Sequence, residues 1–128
     1  MPPRLDALGI VASDLSEALR FYRLLGLDLP ESPGDSPHVE CVGPGGLRVM
    51  FDSLELIRSL VPDWEPPRGH RMGLAFLCDS AADVDATYAA VLAAGFAGAR
   101  APWDAFWGQR YAQVRDPDGN LVDLFAPL

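Results

Sequence analysis

The chain runs twice through the same order of elements, and that duplication limits its fold more than any other feature. Residues 5–12 form a short apolar run with the character of a buried strand. Asp14-Leu15-Ser16-Glu17 follows, an N-cap with a carboxylate three residues on, which can satisfy the orphan N–H groups of a helix start. Leu15, Ala18, Leu19, Tyr22 and Leu25 continue at helical spacing, and Gly26 supplies the stop. A loop at 30–37 holds three prolines. Residues 38–42 and 47–52 then read as strands around Gly43-Pro44-Gly45-Gly46. A short helix is expected at 53–60, and the prolines of 62–67 rule out regular structure there.

The second pass begins with an apolar strand at 71–79 and an alanine-rich helix at 80–94 that ends at Gly95. A final hairpin at 108–115 and 120–126 turns through Asp116-Pro117-Asp118-Gly119-Asn120, strong turn chemistry. Residues 7–14 lie over 72–79 without a gap. Each half closes on a glycine-led strand, Gly46-Leu47-Arg48-Val49-Met50-Phe51 and Gly119-Asn120-Leu121-Val122-Asp123-Leu124. The expectation is an α+β fold of two βαβββ modules. Their curved, mixed, mostly antiparallel sheets would enclose a cavity, with helices outside. The modules run roughly over 1–61 and 70–128 of one domain spanning 1–128.

Charge narrows the partners. The formal net charge is −8, which argues against nucleic acid and anionic membranes, both of which reward basic surfaces. Cys41 and Cys78 match no zinc or redox spacing and read as small buried hydrophobes. The N-terminus shows no apolar signal segment and no run reaches membrane-spanning length, so a cytoplasmic location is expected.

The layout resembles the vicinal oxygen chelate superfamily, which includes glyoxalases, extradiol dioxygenases, fosfomycin-modifying enzymes and bleomycin-resistance proteins. The residues that carry the resemblance are Ala12-Ser13-Asp14-Leu15, Phe21-Tyr22 and Leu25-Gly26-Leu27 in the first half. In the second they are Trp107-Gly108-Gln109-Arg110 and the hairpin from Asp116 to Leu124. Pro37-His38, Asp63-Trp64-Glu65 and Phe106-Trp107-Gly108-Gln109-Arg110 look most like the bleomycin and mitomycin resistance branch, whose members hold a drug without altering it.

Enzymes of the superfamily bind a divalent ion with His, Glu or Gln from the first and last strand of each half. The resemblance places those positions at Ala7, Met50, Met72 and Asp123. Alanine offers no donor, and a thioether is a soft ligand unsuited to zinc, nickel, manganese or iron. One carboxylate does not make a site, and an improvised one from His70, Glu40 and Asp52 is a poor substitute. No cofactor and no metal are therefore expected, and no catalytic residue is assigned.

Strand alternation would place Gly9, Leu74, Leu121 and Phe125 beside those positions, giving a mostly apolar lining. The resemblance makes His38 and Trp107 a stacking pair for a planar ligand, with Trp64, Met50, Met72, Phe106, Tyr111 and Asp123 as further ligand-binding candidates. Each has a plainer reading: His38 as a hydrogen-bonded surface residue, Trp64 as a plug on the core, the methionines as core filler. Asp123 on a buried strand needs a donor, either from the protein, with Arg48 a candidate, or from a ligand amine or hydroxyl. The resemblance further implies a homodimer with two sites at the subunit boundary, holding a small aromatic or quinone-type natural product. The alternative is a glyoxalase- or dioxygenase-like enzyme with a shifted or degenerate metal site.

Overall fold

Asp14 starts the first helix as its sequence predicts: its side chain accepts from the Glu17 N–H at 3.1 Å. The reciprocal half of the capping box is not made, because the Glu17 carboxylate accepts from Arg20 Nε at 2.9 Å instead. The computed structural model describes residues 2–69 and 71–128. The chain divides into one unit ending at Pro66 and another beginning at Pro67.

The first unit holds β1 (Ala7–Ala12), α1 (Leu15–Leu24), β2 (His38–Val42), β3 (Arg48–Ser53) and α2 (Leu54–Leu60). Its sheet has the order β1-β3-β2, with β1 parallel and β2 antiparallel to β3. α1 covers one face: Tyr22 meets Phe51 at 5.1 Å and Phe21 at 4.9 Å between ring centroids, and all three rings are fully buried. Ser53 caps α2 by accepting from the Leu56 N–H at 3.1 Å.

The second unit holds β4 (Leu74–Leu77), α3 (Ala81–Ala93), β5 (Ala97–Ala105), β6 (Gln109–Arg115) and β7 (Leu121–Pro127). The sheet order is β4-β7-β6-β5, parallel only at the β4–β7 pairing. α3 packs on β5, β6 and β7. The core of this unit is aliphatic: Val84 and Val91 from the helix, and Ala112, Val114, Val122, Leu124 and Ala126 from the sheet.

The α+β class stands, with three helices and two mixed sheets, and the two units close their helices alike. After α1 the Gly26 N–H bonds to the Arg23 carbonyl at 3.0 Å and the Leu27 N–H to that of Tyr22 at 3.2 Å. After α3 Gly95 and Phe96 repeat the pattern on Leu92 and Val91. Gly26 and Gly95 take φ of +94° and +93°, the left-handed turn that this ending requires.

Three expectations need correction. The first unit is βαββ with a trailing helix rather than βαβββ. Pro30, Pro33 and Pro37 leave the segment before β2 few backbone donors for a further strand. In the second unit a strand unread in the sequence, β5, stands at the sheet edge, where Pro102 is tolerated. The third correction concerns β4, which covers only 74–77 of the expected 71–79.

Candidate functional site

Helices cover one face of each sheet, so the chemistry-bearing side chains gather on the face away from α1 or α3. On the second sheet the hairpin turn sets which residues meet there. Asp116 is buried and accepts through Oδ1 from the N–H groups of Asp118 at 3.0 Å and Asn120 at 2.8 Å. That turn pairs Arg115 with Leu121, so Gln113 faces Asp123 and Tyr111 faces Phe125. The alternate residues Ala112, Val114, Val122 and Leu124 point into the core, which leaves Tyr111, Gln113, Asp123 and Phe125 on the far face.

Asp123 takes its two bonds from neutral donors: the Tyr111 hydroxyl donates to Oδ2, and Gln113 Nε2 donates to Oδ1 at 2.9 Å. Burial, reinforced by the bond to Asp123, pushes the Tyr111 pKa up to about 12, so the phenol keeps its proton throughout the physiological range. Among the described residues Asp123 has no ion-pair partner. Arg48, expected as its donor, instead binds Asp6 Oδ2 at 2.7 Å and Glu40 Oε2 at 2.9 Å.

Tyr111 ties this carboxylate to a group of four rings. Trp107 stands edge-to-face with Phe106, Tyr111 and Trp103, at centroid distances of 4.9, 5.3 and 5.4 Å. Its indole N–H donates to Gln109 Oε1 at 2.8 Å, which fixes the ring orientation. The Arg100 guanidinium sits 3.8 Å from the Trp103 ring centroid. Phe106 is 92% exposed and Trp107 47%, large apolar surface that folding has not hidden. Thus the structure brings Phe106, Trp107, Tyr111 and Asp123 into one connected cluster.

The first sheet presents a different face. His38 pairs with Asp52 and Glu40 with Met50 across β2 and β3. His38 Nδ1 lies 2.5 Å from Asp52 Oδ1 and Nε2 lies 2.8 Å from Glu40 Oε2. With a carboxylate at each nitrogen both must donate, which is the role of the imidazolium. The bond to Asp52, then that to Glu40, raises the His38 pKa above its ordinary 6.5. Bonds from His38 and then Arg48 hold the Glu40 carboxyl below its usual range. Met50 Sδ takes only a long contact, 3.7 Å, from Arg48. Both His38 nitrogens are thus engaged, and the face of the ring is what remains for a ligand.

Trp64 is half-buried in the loop after α2, its backbone N–H donating to the Val61 carbonyl at 2.9 Å. Met72 does not join the sheet face: it precedes β4 by two residues and is 73% exposed. The parallel register explains why. Ala75 lies opposite Asp123, while Leu74 lies opposite buried Val122 and so faces the helix, against expectation. Ser80 caps α3 as Asp14 caps α1, so the halves correspond one residue later than their ungapped superposition. Gly73, not Met72, then stands where Ala7 stands in the first unit.

The metal-binding positions implied by the resemblance are accordingly Ala7, Met50, Gly73 and Asp123. Two have no donor atom and one is a thioether, which leaves a single carboxylate. These side chains do not fit a hard or borderline divalent ion. Glu40 and Asp52, the improvised ligands, are spent on His38, and His70 lies outside the described residues. A concavity of about 850 Å³ lies between residues 2–6 and 45–47, but no aromatic ring lines it. No helix among the described residues is long and apolar enough to cross a membrane.

Among curated proteins none matches the chain. Solved structures do. A glyoxalase/bleomycin resistance protein/dioxygenase family enzyme from Burkholderia phytofirmans PsJN is 21% identical, with a TM-score of 0.83 over 98% of this chain and 100% of that one. A glyoxalase/bleomycin resistance protein/dioxygenase from Nocardioides is 26% identical, with a TM-score of 0.72 over 100% of this chain and 85% of that one. A glyoxalase-related enzyme from Fulvimarina pelagi is 18% identical, with a TM-score of 0.80 over 96% and 87% of the two chains. The sequence profile of one family matches residues 4–124, nearly the full length, and the chain belongs to that family, the Glyoxalase/Bleomycin resistance protein/Dioxygenase superfamily.

Proposed function

We propose that this chain binds a planar aromatic natural product or antibiotic without transforming it, and so acts as a sequestering resistance protein. The observation that carries this reading is the four-ring cluster around Trp107, with Phe106 and Trp107 left open to solvent. Such rings offer large rigid contact area at small entropic cost. The mismatch between the side chains at the superfamily's metal positions and a divalent ion supports binding over turnover. In this reading the functional form is a homodimer, and the contact surface is the ring cluster of the second unit.

The competing reading is an enzyme of the same fold, and its support is the His38–Asp52 pair, which resembles an oriented acid–base group. Titration of tryptophan fluorescence with anthraquinone-, mitomycin- and bleomycin-type compounds separates the two. Saturable quenching with the compound recovered intact is expected, and Trp107→Ala should weaken binding by roughly tenfold or more, about 1.4 kcal/mol. Conversion of the compound on adding zinc, nickel, manganese or iron would overturn sequestration in favour of catalysis.

A further inference from the structure

The polar end of the aromatic cluster says more about the ligand than the rings do. Asp123 sits half-buried on the face that carries Tyr111 and Phe125, and it receives one neutral donor on each oxygen. No cation of the described chain reaches it. The other carboxylates within strands are answered by charge: Asp52 by His38, Glu40 by His38 and Arg48, and Asp104 by Arg110. Against that pattern Asp123 is the exception. Each of its oxygens keeps a lone pair after the Tyr111 and Gln113 bonds, because a carboxylate accepts about four. Gln113 spends its Nε2 on Asp123, which leaves its own Oε1 as a second acceptor beside the carboxylate.

Tyr111 links this acceptor pair to the rings. Its ring stands nearly perpendicular to Trp107 at 5.3 Å between centroids, and its hydroxyl ends on Asp123. A flat molecule stacked on one of these two perpendicular rings and edge-on to the other would therefore end at a carboxylate and an amide oxygen. That end calls for a group with several N–H donors and a positive charge. The protein has no lysine, since all ten of its basic Lys/Arg positions are arginine, so no side-chain ammonium of its own competes for the place.

We infer that the ligand of this face carries a protonated amine joined to its planar ring system, with the ring on Trp107 and Tyr111 and the ammonium on Asp123 and Gln113. This rests on the sequestration reading above and names the ligand class within it. A charge-assisted bond at a partly desolvated carboxylate is stronger than a neutral one. The chain's net charge of −8 also favours the approach of a cation.

The test uses an aminoethylamino-anthraquinone and its N-acetyl derivative, which share the ring and differ in charge. Affinities for the full-length wild-type chain are measured by fluorescence quenching and calorimetry at low and high salt. The amine is expected to bind at least about tenfold more tightly than the acetamide, with the gap narrowing at high salt. Asp123→Asn should bring the two affinities together while leaving the acetamide's own affinity within about threefold. Folding of that variant is checked by its circular dichroism and melting curve, and the wild-type comparison does not depend on it. Equal wild-type affinities for the two compounds would overturn the amine assignment and leave sequestration standing. Saturable binding of neither compound would overturn both.

Discussion

The two sheets of this protein use their aromatic residues in opposite ways. In the first unit Phe21, Tyr22 and Phe51 are fully buried between α1 and the sheet, and the far face carries a chain of ions from Asp52 through His38, Glu40 and Arg48 to Asp6. In the second unit alanine, valine and leucine make up the fully buried core, and Phe76 on the helix side is only half-buried. Phe106, Trp107 and Tyr111 stand on the far face or at the turn between β5 and β6. Rings inside a core contribute stability. Rings outside one add little to it and remain available for contact with something else. The duplicated layout thus holds two specialised halves, one closed by its own charges and one left with unspent surface.

The sharpest way to break this comparison is one substitution made twice. Phe51→Ala should cost about 3–5 kcal/mol in urea unfolding, because it opens a cavity beneath Tyr22. Phe106→Ala should stay within about 0.5 kcal/mol, since the ring it removes is 92% exposed. Similar costs at the two sites would mean that the second unit's rings are structural after all. A smaller effect is expected at the edge of the second sheet. A Cβ on Gly98 would press on the far end of the half-exposed Tyr88 phenol, which can swing aside, so Gly98→Ala should cost no more than about 1 kcal/mol, read as a small drop in melting temperature.

The smallest effect belongs to the ionic face of the first sheet. A histidine whose folded pKa lies above its unfolded value stabilises fully below that unfolded value and loses the contribution as pH rises through the raised one. Glu40 works the other way: its pKa is lowered, and its contribution fades as pH falls through that lowered value. The His38 clasp should therefore hold between the lowered carboxylate range and the raised histidine value. Unfolding midpoints across pH 5–9 should decline on the alkaline side of about 6.5 for the wild type and stay flatter for His38→Gln. Identical profiles would show that the clasp contributes nothing.

Much of this arrangement is legible in the amino-acid sequence. Turn chemistry at Asp116–Asn120 locates the final hairpin, and once that turn is set the pairing of Gln113 with Asp123 follows by counting outward. The same counting from the Gly43–Gly46 turn would put His38 opposite Phe51; the loop closes one residue wider, with Val42 opposite Arg48, and that shift brings His38 to Asp52. What the sequence hides has local causes. β5 reads as loop because Ala, Gly and Pro have weak strand preference, and its pairing to β6 overrides that. Met72 is misplaced because Asp79 and Ser80 are both good helix caps, and choosing the first shifts the whole strand by one residue. With a period of two, one residue is enough to turn every side chain to the wrong face.

β5 also bears on how this protein survives at high concentration. Its nine residues form an outer strand of the second sheet, close to the exposed Phe106 and Trp107. A long, regular outer strand beside surface aromatics invites cross-β assembly. Here Pro102 withholds an N–H, and the register to β6 breaks between Gly98 and Arg100 and again between Arg100 and Trp103. The irregular rim denies another molecule a continuous ladder to copy. The exposed rings of the β5–β6 turn thus stand beside an edge poorly suited to cross-β pairing.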